Sequence, residues 1–223
     1  MAAIQVYGMN SLEGEISVQG SKNGALPVMA GALLHKGVTV LLNVPDIEDT
    51  RCMIDILREL GCDCKREGIR LVIDASKASG TEVPEKYVKA MRSSIILLGA
   101  LLGRMKEGQC SLPGGCLIGA RPVDLHLMVL RGLGAEITEN EGKFRADAGQ
   151  GLSGSELYLP YPSVGATEQA ILAAVLADGV TVIHGAAKEP EICELCFVFK
   201  WNGCCDLWHG NGPSDDTGGK NAS

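Results

Sequence analysis

The chain has 223 residues, of which 46% are hydrophobic, 21% are charged and only 4% are aromatic, and its formal net charge is −7. This length and composition predict a folded globular protein with an aliphatic core and exclude a disordered chain. The acidic balance, the scarcity of aromatic residues and the lack of a dense Lys and Arg cluster argue against a nucleic-acid or anionic-membrane partner.

The N-terminal residues MAAIQVYGMN have neither the basic region nor the long apolar region of a signal peptide. The longest apolar runs, such as residues 95–102, are far shorter than a membrane span. Nine cysteines in a chain without an export signal are expected to be free thiols. We therefore expect a cytoplasmic protein with no membrane segment.

Three segments follow one plan: an apolar helix, a glycine, a β-rich run, a loop with proline, a second helix, Leu-Gly and a strand. They cover residues 25–64 and 95–137, and the third begins at residue 170. The glycine after the first helix is Gly37, Gly108 and Gly179, at a constant spacing of 71 (108 − 37 and 179 − 108). We predict that each glycine ends its helix in a left-handed conformation. Helices alternating with strands in three copies predict an α/β domain with pseudo-threefold symmetry.

The second helix of each repeat is indicated by its apolar periodicity. In the first repeat, Asp49 and Thr50 offer N-terminal capping groups ahead of the apolar stripe. The stripes consist of Met53, Ile54, Ile56, Leu57 and Leu60 in the first repeat, and of Leu125, Val129, Leu130 and Leu133 in the second.

The third repeat follows this plan only as far as Cys196. The remaining residues show no apolar periodicity and contain both tryptophans, which is typical of a disordered tail. Codons compatible with this stretch, read one nucleotide forward, permit the helix end, the Gly-Ala and the strand that the plan requires. We therefore hypothesise that residues from about Phe197 onward are a frameshift product. The third repeat would then lack its second helix and leave Ile171, Val175 and Ile183 uncovered.

Two motifs combine a cation with a helix start. In GSKNGALP, Lys22 and Asn23 precede an apolar helix, where backbone N–H groups favour a phosphate or carboxylate; a solvated lysine and an asparagine N-cap is the alternative. Arg92 stands at the start of a buried helix, where a bound anion would compensate its unfavourable interaction with the helix dipole, although a surface arginine is the simpler interpretation.

Two further motifs are loops. In LPGGCLIGARPVD, the glycine-rich loop carries Cys116 with Arg121 nearby, an arrangement that can lower the pKa of a thiol and make it reactive. A small buried cysteine is the alternative, although a Pro-Gly-Gly loop is a poor place to bury one. In PSVGAT, Ser163 and the following glycine offer either backbone donors to a ligand or simple helix capping.

Five cysteine and histidine residues near the end of the chain resemble zinc ligands only superficially: Cys193, Cys196, Cys204, Cys205 and His209. The adjacent pair of cysteines lacks the regular spacing of a structural zinc site, so we predict no metal.

The strings SKNGALP, NVPDIEDT, MRSSIILLGALLGR, SLPGGCLIGARPVDLH, YPSVGAT and AAKEPEI together resemble the enolpyruvyl transferase family, from Gln5 to about Cys196. The cysteine loop is specific to the branch that acts on a nucleotide sugar. The sister branch, the 5-enolpyruvylshikimate-3-phosphate synthases, lacks that loop and has serine where Asn23 stands.

The resemblance implies transfer of the enolpyruvyl group of phosphoenolpyruvate to the 3-hydroxyl of UDP-N-acetylglucosamine, the first committed step of peptidoglycan synthesis, without a metal or organic cofactor. It implies catalytic roles for Lys22 and for Cys116, the proton donor that fosfomycin alkylates. Phosphoenolpyruvate would be bound by Lys22, Asn23 and Arg121. UDP-N-acetylglucosamine would be bound by Arg92, Arg121, Pro122, Val123, Asp124, Leu125, Ser163 and Val164.

The family fold implies an inside-out α/β barrel of three βαβαββ units, one of two similar domains that flank the active-site cleft. Residues 1–21 would then be the first strand segment of the second domain, residues 22–196 the domain with the threefold repeat, and residues 197–223 an aberrant tail. The second domain would supply the base for the sugar hydroxyl, so we expect this chain alone to be inactive. Alternatives are a noncatalytic remnant that binds ligand weakly, and the activity of the sister branch.

Overall fold

The computed structural model describes residues 4–9, 11, 13–111 and 123–201. The first repeat contains the helices α1 (Lys22–Gly31) and α2 (Glu48–Glu59), with a 3-10 turn over Ala32–Leu34. Its strands β1 (Val38–Leu41), β2 (Asp63–Glu67) and β3 (Arg70–Asp74) form an antiparallel sheet of order β1-β3-β2.

The second repeat uses the same order with one strand added at the edge. Its sheet has the order β4-β5-β7-β6, in which β4 is parallel to β5 and the other pairs are antiparallel. The elements are β4 (Glu82–Val83), α3 (Glu85–Ala90), a 3-10 helix over Arg92–Ile96, α4 (Leu97–Met105), β5 (Glu107–Ser111), α5 (Asp124–Gly132), β6 (Glu136–Asn140) and β7 (Lys143–Asp147).

The third repeat contains α6 (Val164–Ala174) and α7 (Pro190–Trp201). Its strands β8 (Glu156–Tyr158) and β9 (Val182–His184) are parallel, with Leu157 opposite Ile183. The βαβ start of this unit matches that of the second repeat, so the threefold repeat predicted from the glycine spacing is confirmed.

The helices lie inside and the sheets outside. The first helices of the three repeats, α1, α4 and α6, pack against one another. Side chains of these helices, including Met29, Leu97, Leu101 and Leu172, are fully buried, as is Leu33 in the turn after α1. Strands such as β7 alternate buried and exposed residues, because one sheet face covers the helices and the other faces solvent. The predicted inside-out α/β architecture is therefore confirmed.

None of the three glycines ends its helix as predicted, because α1, α4 and α6 end at Gly31, Met105 and Ala174. Gly179 has a φ of 91°, in the left-handed region, whereas Gly37 and Gly108 have no positive φ. In the second repeat, Lys106 adopts the left-handed conformation at the C-cap of α4, with a φ of 67°. Gly108 instead lies within β5, where a Cβ atom would come 3.1 Å from Leu101, so its role is close packing.

The prediction that the third repeat lacks its second helix is wrong. Helix α7 continues beyond the predicted boundary at residue 196 to Trp201, because its apolar face packs against the central helices. Phe199 is buried, and its ring lies where a side chain at Gly31 would stand. Ile171 is buried as well, in contrast to the expected exposure. The remainder of the predicted aberrant tail lies outside the described residues.

The described residues between 4 and 20 form no strand, and apolar side chains such as Ile16 and Val18 are exposed. A strand requires a partner edge for its backbone hydrogen bonds, and no described strand pairs with this segment. Its assignment to a second domain stays a prediction. Within the described part of the chain, no helix combines the length and the apolar character needed to cross a membrane.

Candidate active site

A cavity of about 350 Å³ lies where the first helices of the three repeats begin. Its walls include Lys22 at the start of α1, Arg92 at the start of the 3-10 helix that leads into α4, and Gly165 in the first turn of α6. The first N–H groups of a helix have no acceptor within the helix, and they carry a partial positive charge. Two cations and three helix starts therefore face one cavity, an arrangement suited to an anion.

The ammonium group of Lys22 is paired within the protein. Its Nζ atom lies 3.0 Å from Oδ2 of Asp49, in the first turn of α2. Both side chains are partly exposed, so the pair contributes only about 0–1 kcal/mol and an anionic ligand can displace Asp49. Of the two predicted capping residues, Thr50 caps α2, since its Oγ1 accepts from the Ile47 N–H at 3.4 Å. The same Oγ1 donates to the Pro45 carbonyl oxygen at 2.7 Å.

Arg92 and His126 also line the cavity. Burial lowers the pKa of His126 to about 4, against an opposing hydrogen bond with Gln169 and with a smaller contribution from the Arg92 cation, so the imidazole is neutral at pH 7. The ring lies against the start of α6, where a Cβ atom at Gly165 would come 2.9 Å from Cε1 of His126. Only glycine lets the ring approach this closely, which places a neutral imidazole beside the helix N-terminus.

Glu168 supplies a carboxyl group to the same cavity, one turn into α6. It is only 7% exposed, and burial raises its pKa to about 8, with a smaller contribution in the same direction from the carboxylate of Glu191. The carboxyl group is therefore mostly protonated at neutral pH.

The structure brings together only part of the predicted site. Lys22, Arg92 and Val123 line the cavity, with Asp124 and Leu125 following Val123 at the start of α5. Cys116, Arg121 and Pro122 lie outside the described residues.

Asn23 and Ser163 have other partners. The Asn23 side chain donates from Nδ2 to Oε1 of Glu191 at 3.4 Å. The N-cap of α1 is Ser21, not Asn23, since its Oγ accepts from the Gly24 N–H at 3.2 Å. Ser163 caps α6 by accepting from the Ala166 N–H, so the capping interpretation holds for this serine, and Val164 begins the helix.

Sequence reasoning missed Asp49 as the partner of Lys22, and it missed His126 and Glu168 as cavity residues. Glu168 had a signal that could have been used, because it is the one charged residue in the apolar segment 164–177. A charge on a helix that is otherwise buried all round is unusual unless it serves a site.

Of the remaining metal candidates, Cys193 and Cys196 lie in α7, where Cys196 is buried, whereas Cys204, Cys205 and His209 lie outside the described residues. Within residues 4–9, 11, 13–111 and 123–201, no group of three or more His, Cys, Asp or Glu side chains could hold a metal ion.

The family model for EPSP synthase (3-phosphoshikimate 1-carboxyvinyltransferase) matches residues 6–204. The chain belongs to this family of enolpyruvyl transferases. The match extends past residue 196, consistent with the continuation of α7.

Two relatives in this family illustrate the degree of similarity. The chain is 47% identical over 195 residues to UDP-N-acetylglucosamine 1-carboxyvinyltransferase 2 of Caldanaerobacter subterraneus subsp. tengcongensis, which covers 87% of the chain and 46% of that protein. It is 48% identical over 195 residues to UDP-N-acetylglucosamine 1-carboxyvinyltransferase 1 of Symbiobacterium thermophilum, which covers 85% of the chain and 44% of that protein. The chain thus spans somewhat less than half the length of these relatives.

Solved structures of enolpyruvyl transferases share the fold. The enolpyruvyl transferase NikO of Streptomyces tendae superimposes with a TM-score of 0.76 at 23% identity, over 86% of this chain and 45% of that chain. EPSP synthase of Acinetobacter baumannii gives a TM-score of 0.64 at 20% identity, over 80% of this chain and 42% of that chain.

Proposed function

We propose that this chain provides a substrate-binding cavity for the transfer of the enolpyruvyl group of phosphoenolpyruvate to the 3-hydroxyl of UDP-N-acetylglucosamine. The proposal rests on one observation. Lys22 and Arg92, which belong to different repeats, line the same cavity, and the first residues of three helices line it as well. The names of relatives 47% and 48% identical to the chain support this choice of substrates.

The transfer requires control of negative charge. The sugar hydroxyl adds to the enol carbon of phosphoenolpyruvate while a proton adds to its methylene carbon, and the resulting tetrahedral intermediate loses phosphate and a methyl proton to restore the double bond. Substrate and released phosphate are both anions, so in a protein of net charge −7 local cations and helix dipoles must concentrate them. The cavity supplies both.

Individual roles follow the family motifs. We assign Lys22, Asn23 and Arg121 to phosphoenolpyruvate and Cys116 to protonation of the methylene carbon. In the free protein Asn23 bonds to Glu191, so it must exchange that partner for the ligand.

We assign the nucleotide sugar to cavity residues and to residues near them in the sequence. It would contact Arg92 together with Arg121, Pro122, Val123, Asp124, Leu125, Ser163 and Val164. In this proposal the protein acts in the cytoplasm on precursors of the cell wall, with the consequences for cell shape and division that peptidoglycan synthesis carries, and it needs no metal or organic cofactor.

Alkylation by fosfomycin tests the cysteine assignment. We expect fosfomycin together with UDP-N-acetylglucosamine to modify Cys116, detected by mass spectrometry of peptides, and Cys116→Ala to abolish the adduct. Cys110 is the matched control, because burial in β5 raises the pKa of its thiol to about 12 and Cys110→Ala should leave labelling unchanged. Labelling spread evenly over the cysteines would contradict the assignment.

A second candidate is the transfer to shikimate 3-phosphate, which the name of the matching family favours. Calorimetric titration of the chain with each acceptor, in the presence of phosphate, separates the two. We expect UDP-N-acetylglucosamine to bind and shikimate 3-phosphate not to bind, and the reverse result would replace the proposed acceptor.

A further inference from the structure

Glu168 is the least explained polar group in the cavity. Its side chain is more than nine-tenths buried, yet it forms no hydrogen bond or ion pair with any residue that the structure describes. Buried polar groups in folded proteins are nearly always hydrogen-bonded, and those that are not often serve a function. The partner of Glu168 is therefore to be sought in a ligand.

A second unpartnered group stands in the same cavity. Nδ1 of His126 is buried and has no hydrogen-bond partner among the described residues. Two separate elements, α5 and α6, thus each place a polar side chain with an unused hydrogen-bonding atom at one cavity. Such a pair is expensive in the free protein unless each group stays uncharged.

The charged and titratable groups around Glu168 come from every element that packs near it. They are Lys22 on α1, Asp49 on α2, Arg92 on the 3-10 helix, His126 on α5 and Glu191 on α7. Asp49 is occupied with Lys22, and Glu191 disfavours ionisation of Glu168. Among the residues that line the cavity, Lys22, Arg92 and Asp49 are charged, so with His126 neutral and Glu168 protonated the lining carries one net positive charge, which a bound anion would complement.

We propose that Glu168 is a ligand-binding residue whose carboxylic acid donates a hydrogen bond to a tetrahedral oxyanion held in the cavity with Lys22 and Arg92. The inference rests on the anion-binding part of the proposed function and not on enolpyruvyl transfer. Protonated Glu168 is a donor to the oxyanion, whereas ionised Glu168 has only acceptor atoms and repels it. Binding of the anion is therefore coupled to retention of this proton.

Sulfate is the suitable probe, because its charge does not change between pH 7 and pH 9 whereas that of phosphate does. We expect the affinity of the full chain for sulfate, measured by calorimetry, to fall about tenfold at pH 9, one unit above the pKa of about 8 for Glu168. Glu168→Gln keeps a donor and has no titrating proton, so its affinity should be the same at the two pH values.

Glu191→Gln provides a directional control. Removing the neighbouring negative charge lowers the pKa of Glu168, so the loss of affinity should move to lower pH without disappearing. Glu139→Gln, on the exposed strand β6, should behave as the unchanged protein does. Circular dichroism establishes whether each variant is folded.

A measurement on the unchanged protein makes the test independent of any variant. Carbon-13 NMR of labelled glutamate side chains should show one carboxyl that titrates near pH 8, with sulfate moving that titration to higher pH. The inference is overturned if every glutamate titrates in the ordinary range, if the protein binds no sulfate, or if Glu168→Gln keeps the full pH dependence.

The two proposals fail separately. Fosfomycin labelling of Cys116 with pH-independent sulfate binding would end the inference about Glu168 and leave the proposed function standing. If sulfate binding shows the predicted pH dependence but the protein binds neither the acceptor sugar nor phosphoenolpyruvate, the proposed function fails and the inference about Glu168 stands.

Discussion

At the scale of single residues, the free cavity is prepared for an anion by neutralising its own charges. Lys22 is paired with Asp49, His126 is uncharged because it is buried, and Glu168 keeps its proton for the same reason. Each arrangement avoids an unpaired charge in a partly enclosed volume. Each can also change when a ligand enters, which distinguishes this cluster from the exposed ion pairs elsewhere on the surface.

The pKa values of Glu168 and His126 predict how stability depends on pH. The folded protein keeps a proton on Glu168 between the ordinary pKa of 4.5 and about 8, so this group loses stability as pH rises through that range. The pKa of His126 falls from 6.5 to about 4, so this group loses stability as pH falls. The two effects oppose each other below pH 6.5. Between pH 6.5 and pH 8 the effect of Glu168 is unopposed, and the thiols with raised pKa values contribute only at higher pH.

We therefore expect the free energy of unfolding to decrease by about 2 kcal/mol between pH 6.5 and pH 8, a change of about 1.4 kcal/mol per pH unit for one proton. Glu168→Gln should be more stable than the unchanged protein at pH 8 and should lack most of this slope. Urea unfolding at several pH values measures both quantities. An identical slope in the variant would place the proton elsewhere.

At the scale of secondary structure elements, the approach of α4 to α6 sets the position of two of the three helix starts. Gly99 faces the backbone of α6, where a Cβ atom would come 2.7 Å from the Gln169 carbonyl oxygen. The Gln169 amide is oriented so that its oxygen and its nitrogen both form hydrogen bonds. The oxygen accepts from the Gly99 N–H at 3.1 Å, and the nitrogen donates to the carbonyl oxygens of Ile95 and Ile96. The 3-10 helix that carries Arg92 is thereby fixed to α6.

Gly99→Ala should destabilise the protein by about 1–3 kcal/mol, because the backbone of α6 cannot move aside as a flexible side chain can. Gly103→Ala, one turn later on the same helix, meets first the Leu34 side chain at 3.2 Å, and there the gain in helix propensity of about 1 kcal/mol offsets the contact. Thermal unfolding of the two variants compares them directly. Equal losses would mean that the packing of α4 on α6 is looser than the structure indicates.

At the scale of the whole molecule, Arg104 joins the first repeat to the second. Its guanidinium group on α4 donates to the carbonyl oxygens of Leu33 and Ala75, both at 2.6 Å. These carbonyl groups follow α1 and β3, so one side chain ties the helix and the sheet of the first repeat to the central helix of the second. Because Lys22 and Arg92 belong to different repeats, the cavity forms only if the two repeats keep a fixed relative position, which Arg104 helps to hold.

Arg104→Met removes two charged hydrogen bonds to partly buried carbonyl groups, which should cost about 1.5–3 kcal/mol of unfolding free energy. Arg104→Lys should recover only part of this loss, since an ammonium group cannot reproduce the planar fork. Arg131→Met, at the exposed end of α5, is the control and should change stability by less than about 0.5 kcal/mol. Urea unfolding followed by circular dichroism gives all three values, and equal stability of the Arg104 and Arg131 variants would contradict this role.

The sequence determined the repeated plan and its element types. Spacing of apolar residues and glycines is local information, and it predicted the apolar stripe of α2 and the apolar first helices. Helix ends were less predictable, since Lys106 adopts the left-handed conformation expected of Gly108, and α7 extends to Trp201 through packing on the first helix.

Only the tertiary structure decided which residues share the cavity. Lys22 and Arg92, and then Arg92 and Glu168, are each separated by roughly one repeat, about 70 positions along the chain. No local pattern indicates that the helices carrying them begin beside one cavity. The partner of Lys22 and the proton on Glu168 also depend on burial and on neighbouring charges, which arise when α1, α4 and α6 pack together. Local periodicity specifies the elements, and the long-range packing of the repeats creates the chemistry of the site.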